Sequence, residues 1–163
     1  MFNYLLNMKV RRYEIGDTEQ IIQLFYNTIH AVNIRDYTKA QVNAWTSVNM
    51  DVEVWTNSLK SKFTYVAEKD GKIIGFGELE ANGHIDRFYC HKDFQGQGVG
   101  TKIFEQIELT ARDLKINKLF VEASITAKPF FEKKQFIVVK KQEVERGGQK
   151  LINFVMEKDF SQF

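Results

Sequence analysis

The chain has 163 residues, 44% hydrophobic and 27% charged, which fits one domain with a packed core and argues against disorder. The 23 lysines and arginines nearly cancel 21 acidic residues, so the basic excess that a nucleic-acid binder concentrates is missing. Cys90 is the lone cysteine, which excludes an intrachain disulfide or a cysteine-based metal cluster and suits a reducing cytoplasm, and no apolar run approaches the roughly 20 residues that span a bilayer.

Residues 1–7 read as an extension of a single domain covering 1–163, with Met8 as an alternative start. Met8–Tyr13 reads as a short strand. Asp17 offers a helix N-cap. Ile21, Leu24, Phe25, Thr28, Ile29 and Val32 follow at spacings of three and four, the pattern of an amphipathic helix with one buried face. Thr38 and Gln41 make a capping box for a second helix through Val42 and Trp45. Val52, Trp55 and Leu59 predict one or two further helical turns.

The middle of the chain changes period. Phe63–Glu68, Lys72–Glu80 and His84–His91 read as strands, joined by the hairpin turns Asp70-Gly71 and Asn82-Gly83. A glycine-rich turn, Gln95–Thr101, opens a helix whose core face is Val99, Ile103, Ile107, Ala111 and Leu114. Lys118–Ser124 is a fifth strand. Ala127–Lys134 is a short helix with Pro129 in its first turn, where a missing N–H does no harm. Phe136–Glu145 and Lys150–Glu157 pair across Gly147-Gly148. The order is β-α-α-β-β-β-α-β-α-β-β, an α/β fold with a mixed, mostly antiparallel sheet. The helix between the fourth and fifth strands predicts a parallel pair there.

The glycine-rich turn carries the most chemistry. Its backbone amides sit at a helix N-terminus, where unpaired N–H groups and the macrodipole favour an anion such as a pyrophosphate. A Walker A loop fails on order, because Gly100 is followed by Thr101 and then Lys102. A dinucleotide fingerprint fails on spacing and on the hairpins that precede it.

What fits is Gln/Arg-x-x-Gly-x-Gly/Ala, matched by Gln95, Gly98 and Gly100. With Ala127-Lys128-Pro129-Phe130-Phe131-Glu132-Lys133-Lys134-Gln135-Phe136, it resembles the two signatures of the GNAT N-acetyltransferase superfamily, whose element order the chain shares over residues 8–158. The resemblance implies transfer of an acetyl group from acetyl-CoA to a primary amine of a small molecule or peptide, by direct attack and without a metal. It implies that Phe88, Tyr89 and Cys90 run beside the pantetheine arm. Gln95, Gly96, Gln97, Gly98, Val99, Gly100 and Thr101 would hold the pyrophosphate, with Ser124 and Phe131 also at the cofactor. Relatives include monomers and homodimers. Neither a nucleic acid nor a membrane is implied as a partner.

Three positions depart from the pattern. Phe131 stands where many relatives carry a tyrosine acid, Gln135 where glycine is usual, and Ser124 near a frequent asparagine. Phe131 supports a competing reading, a CoA-binding module without transfer activity. The attacking amine must lose a proton, so a base is needed. His84, Glu78 and Asp86 are the candidates, with Glu80 behind them. Glu78 and Glu80 share a face by strand alternation. Tyr89 and Tyr65 are candidate donors to the departing thiolate. Cys90 reads as a packed strand residue rather than an acyl carrier. Lys102, Lys128, Lys133 and Lys134 are candidate phosphate partners. Tyr26, Tyr37, Trp45 and Trp55 form core or an acceptor-pocket wall.

Overall fold

A computed structural model describes residues 7–160. The start of the chain, including most of the expected extension and the choice between Met1 and Met8, lies outside the described residues. Seven strands form one sheet in the order β1-β2-β3-β4-β5-β7-β6. They are β1 Met8–Arg12, β2 Phe63–Lys69, β3 Lys72–Leu79, β4 His84–Cys90, β5 Lys118–Ser124, β6 Ile137–Arg146 and β7 Gln149–Asp159. All neighbours run antiparallel except β4 and β5.

Five α-helices cover the two faces: α1 Thr18–Ala31, α2 Lys39–Trp45, α3 Val52–Lys60, α4 Val99–Asp113 and α5 Lys128–Lys133. The turns expected after Trp45 are a full helix, α3, capped by the Asp51 carboxylate on the N–H groups of Glu53 and Val54. The true order is therefore β-α-α-α-β-β-β-α-β-α-β-β. The predicted α1 stripe is buried throughout, and Ile21, Leu24, Phe25 and Ile29 pack with Val66, Ile73 and Phe76 on one face of the sheet. On the other face Val99, Ile103, Phe104 and Ile107 pack on Ala67, Ile74 and Leu79. Burial of these side chains contributes about 1.5–3 kcal/mol each, and they clamp the sheet between two helical layers.

Two expectations need correction. Asp17 does not cap α1: its carboxylate accepts from the Glu14 N–H at 2.8 Å and pairs with Arg11 at 2.8 Å. The salt bridge outcompetes the cap because the guanidinium reaches it in a bidentate fork. Leu114 is 43% exposed rather than core, because α4 ends at Asp113 and the chain turns away.

Helix α4 lies close against β3 because glycine occupies the contact. A Cβ on Gly77 would stand 2.8 Å from the Phe88 ring and 3.0 Å from Ile103. That close approach fixes the N-terminus of α4 beside the end of β4.

Candidate active site

Strands β4 and β5 pair at only two positions, His84 with Phe120 and Ile85 with Val121. Beyond that rung they part, and the opening between them is a cleft. The cause is partly in β4 itself. Gly77 pairs with Phe88 and Leu79 with Ile85, so Glu78 alone faces both Asp86 and Arg87. This is a β-bulge, which bends a strand and changes its side-chain alternation. As a result Ile85, Phe88 and Cys90 pack toward α4, while His84, Asp86, Arg87 and Tyr89 face the α1–α2 side.

Two cavities meet at the opening. One, of about 170 Å³, lies between β4, β5 and α5. The other, of about 480 Å³, lies between α2 and the β6–β7 hairpin. They share Trp45, Asp86, Tyr89, Glu122 and Ser124, which form the neck between them.

The glycine-rich loop starts from Gln95, which lines the first cavity. Gly98 takes the left-handed region with φ +85 and starts α4, so it presents the first-turn amides outward without a side chain in the way. Among the described residues nothing accepts from the N–H groups of Gln97, Gly98, Val99 or Thr101. Gly100 differs: the Cys90 sulfur packs against it, 3.3 Å from where a Cβ would stand. A Cβ on Gly100 would lie 3.1 Å from Phe130, so this glycine serves packing rather than anion approach. Gly96, at φ +70, supplies the turn ahead of Gln97. Of the four candidate lysines, Lys134 is tied to the loop, donating to Thr101 Oγ1 at 2.9 Å. Lys102 pairs with Glu105 and Lys128 with Glu132.

Gln95 is spent locally. Its Nε2 donates to the Cys90 carbonyl at 2.7 Å, and so fixes the end of β4. Cys90 is not a nucleophile at neutral pH, since burial pushes its thiol up to about 12. Phe131 is 2% exposed and packs edge-on against Phe88, Phe130 and Phe136, so this position offers no proton. Ser124 Oγ accepts from the Ala127 N–H at 3.0 Å and thereby starts the α5 turn. Tyr65 is removed from the cleft, its hydroxyl 2.5 Å from Thr110 Oγ1 under α4.

The candidate bases fall into two linked groups. Glu78 is completely buried and pairs with Arg87 at 2.6 Å and Lys62 at 3.3 Å. Burial pushes its carboxyl upward, against the pull of those two cations. It borders neither cavity, and its carboxylate is held between the two cations. Asp86 stands at the neck, 2.6 Å from Lys62. Burial would raise its carboxyl, but the Lys62 ammonium outweighs burial and holds it below the usual range.

His84 is bracketed. Nδ1 lies 2.6 Å from Glu80 Oε1 and Nε2 lies 2.5 Å from Glu122 Oε2. Burial would lower the ring, but the two carboxylates outweigh it and hold His84 above its ordinary value. A carboxylate oxygen stands against each ring nitrogen, so neither nitrogen faces the neck unpartnered. Glu80, His84 and Asp86 also hold donor atoms within 4.8 Å of one another. A metal there would have to displace the proton between His84 and Glu80.

Glu122 escapes a reading of the sequence because β5 scans as an apolar strand. Only the parallel rung brings its carboxylate opposite His84. Of the aromatic group, Tyr37 and Trp45 line the second cavity. Trp55 is core, with Arg87 4.1 Å above its ring, and Tyr26 is exposed and stacked on His30.

The parallel β4–β5 pair and the glycine-started helix end are where the sequence predicts them, and residues 33–158 match the acetyltransferase (GNAT) domain model. The chain belongs to the GNAT acetyltransferase family. It is 30% identical over 151 residues to the uncharacterized N-acetyltransferase YafP of Escherichia coli (strain K12), covering 92% of this chain and 95% of that protein. A GCN5-related N-acetyltransferase from Rhodopseudomonas palustris superposes with a TM-score of 0.88 at 30% identity, covering 93% and 94% of the two chains. The PaiA N-acetyltransferase of Thermoplasma acidophilum, solved in complex with coenzyme A, superposes at 0.78 with 18% identity, covering 94% and 99%. Among the described residues of this GNAT chain, no helix is long and apolar enough to cross a membrane.

Proposed function

We propose that this GNAT protein is an acetyl-CoA-dependent N-acetyltransferase acting on a primary amine of a small molecule or peptide by direct attack. The observation that carries the reading is the pairing of a glycine-started helix end at Gly98, entered from Gln95 on the wall of the first cavity, with a neck that joins that cavity to the second. The loop 96–101 fits a pyrophosphate because its free amides point outward, and Lys134 adds a positive charge beside them. The Phe88–Cys90 main chain, unpaired toward β5, suits the amides of a pantetheine arm, with Ser124 and Phe131 along the same cavity. Acetyl-CoA supplies an activated acetyl thioester there.

The remaining work falls to the neck. Asp86 and Glu122 draw an ammonium to the junction. Glu122 accepts its proton on Oε1, the oxygen that His84 does not occupy. His84, held by Glu80 on its other nitrogen, fixes the Glu122 carboxylate in place, and the proton leaves Oε1 to solvent. Tyr89 replaces the donor that Phe131 lacks. Its phenol stands at the neck, where it lines both cavities. Burial holds Tyr89 well above the usual phenol range, which keeps it protonated at neutral pH.

The test has two parts. Acetyl-CoA at a hundredfold excess over its Kd is expected to stabilise the fold by about 2.7 kcal/mol, and ATP and NAD are not. Thiol release is expected with at least one member of an amine panel. Binding without turnover of any amine favours the second reading, a CoA-binding module, for which the buried Phe131 is the supporting observation. No stabilisation by acetyl-CoA overturns both.

A further inference from the structure

The larger cavity has a graded wall. Gln142, Val144 and Arg146 occupy alternate positions of β6 and therefore share one face. Across the ladder Gln142 pairs with Asn153 and Val144 with Leu151, and Asn153 pairs in turn with Ser124 of β5. Gln142 Nε2 donates to Asn153 Oδ1 at 2.9 Å, so the two amides largely satisfy each other. The wall thus runs from a closed amide pair level with the neck, through an aliphatic step, to a guanidinium at the rim. Trp45, Tyr37 and Val48 face it from the helical side.

Arg146 differs from the other cation of this cavity. Arg87 is consumed by Glu78, Ser58 and the Trp55 ring. Arg146 makes one hydrogen bond, from Nη1 to the Glu145 carbonyl at 3.0 Å, and among the described residues it has no carboxylate partner. Its strand is nevertheless held in place. Gln41 Nε2 donates to the Lys150 carbonyl at 2.8 Å, and Tyr37 Oη donates to the Ile152 carbonyl at 2.6 Å. Gly147 lies so close to α2 that a Cβ would stand 3.0 Å from Ser47 and 3.2 Å from Ala44. The hairpin tip is therefore docked onto α2, and Arg146 is presented at a fixed place on the rim.

We infer that the acceptor is an amine bearing a carboxylate at the far end of an apolar body, with Arg146 as the carboxylate anchor. The inference rests on the transferase reading above, which places the ammonium at Asp86 and Glu122. Four residues of strand separate the Gln142 rung from Arg146, about 13 Å along the chain direction. An α-amino acid is too short to span that gap even with the reach of an arginine. A short peptide or an ω-amino acid is long enough. Guanidinium is suited to the task because its planar fork engages both oxygens of a carboxylate.

The experiment uses matched pairs: ε-aminocaproate with its primary amide, and alanyl-leucine with alanyl-leucinamide. Steady-state kinetics of the full chain with acetyl-CoA are expected to give the acid of at least one pair a kcat/KM about tenfold or more above its amide, carried by KM. The pair that shows it distinguishes an ω-amino acid from a peptide. Arg146→Gln is expected to bring the members of that pair within about threefold of each other, and Arg146→Lys to restore part of the gap. Turnover that ignores the carboxylate, or a preference that survives Arg146→Gln, overturns the inference while leaving the transferase intact. No turnover of any amine, with acetyl-CoA still raising the melting temperature, overturns the transferase reading and this inference with it.

Discussion

His84 Nε2 lies 2.5 Å from Glu122 Oε2, beside the two positions at which β4 and β5 pair. With Glu80 at 2.6 Å on the other nitrogen, the ring joins the β3–β4 turn to β5 at the apex of the cleft. The folded value of His84 is raised above its unfolded value. Its contribution to stability is therefore complete below about pH 6.5 and is lost as pH rises through the folded value. Urea titrations across this range are expected to show the wild type weakening as pH rises. His84→Gln is expected to lack that slope and to be less stable by about 2 kcal/mol at pH 6, the size of a charge-assisted hydrogen bond. Parallel pH profiles for the two proteins would defeat the bracketed imidazolium.

The second departure from the family pattern also has a physical signature. Gln135 stands at φ +71, immediately past α5. The Phe136 N–H donates to the Phe131 carbonyl and the Gln135 N–H to the Glu132 carbonyl, each at 3.0 Å, which is a Schellman C-cap. That cap needs a left-handed residue, which costs a side chain about 1–2 kcal/mol. Glycine removes the strain but loses about 0.5–1 kcal/mol of chain entropy. Gln135→Gly is expected to stabilise the protein by about 0.5–1 kcal/mol in thermal melts. A fall in melting temperature would show that the glutamine side chain has contacts that compensate.

Much of this architecture is written in local signals. The α1 stripe has the period of a helix, Asp70-Gly71 carries the chemistry of its turn, and Gln95–Thr101 announces a helix start. The bulge at Asp86 and Arg87 has no such signal. An inserted residue leaves strand composition unchanged while it alters which β4 side chains share a face, so alternation alone does not put Asp86 and Arg87 on the same side. Glu122 and Arg146 enter the site only through registry between strands distant in sequence. Such pairings come from the whole sheet, and no local pattern holds them.

The place of Glu78 can be checked directly. Its carboxylate is wholly buried between Arg87 and Lys62. Removing it leaves two cations without their buried partner, a change that costs about 3–5 kcal/mol. Glu78→Ala is expected to lose stability on that scale in denaturant melts. Whatever protein remains folded is expected to keep the acidic limb of its pH–rate profile. A stable variant with that limb abolished would return Glu78 to the role of base.

Gly98 tests the anion cradle. At φ +85 it can accept a side chain only with strain, and any side chain there stands among the outward amides. Gly98→Glu adds a negative charge at the same point. The variant is expected to abolish the melting-temperature rise caused by acetyl-CoA while circular dichroism stays that of the wild type. Gly98→Ala is expected to weaken binding less, since it adds strain without charge. An undiminished acetyl-CoA response in Gly98→Glu would move the pyrophosphate elsewhere.

Tyr89 carries the last question, which is what protonates the thiolate when Phe131 cannot. The phenol lines both cavities, and its ring is held by Phe25 at 5.3 Å and Phe76 at 5.9 Å. Tyr89→Phe preserves that packing and removes only the hydroxyl. It is expected to lower kcat about 100-fold with little change in the KM for acetyl-CoA, the behaviour of a lost general acid. Phe131 lines the same inner cavity from α5, so Phe131→Tyr in the Tyr89→Phe background supplies a second hydroxyl from the opposite wall. Partial recovery of kcat is expected if the lost function is a proton. A Tyr89→Phe enzyme as fast as the wild type would show that the thiolate leaves without an acid from the protein.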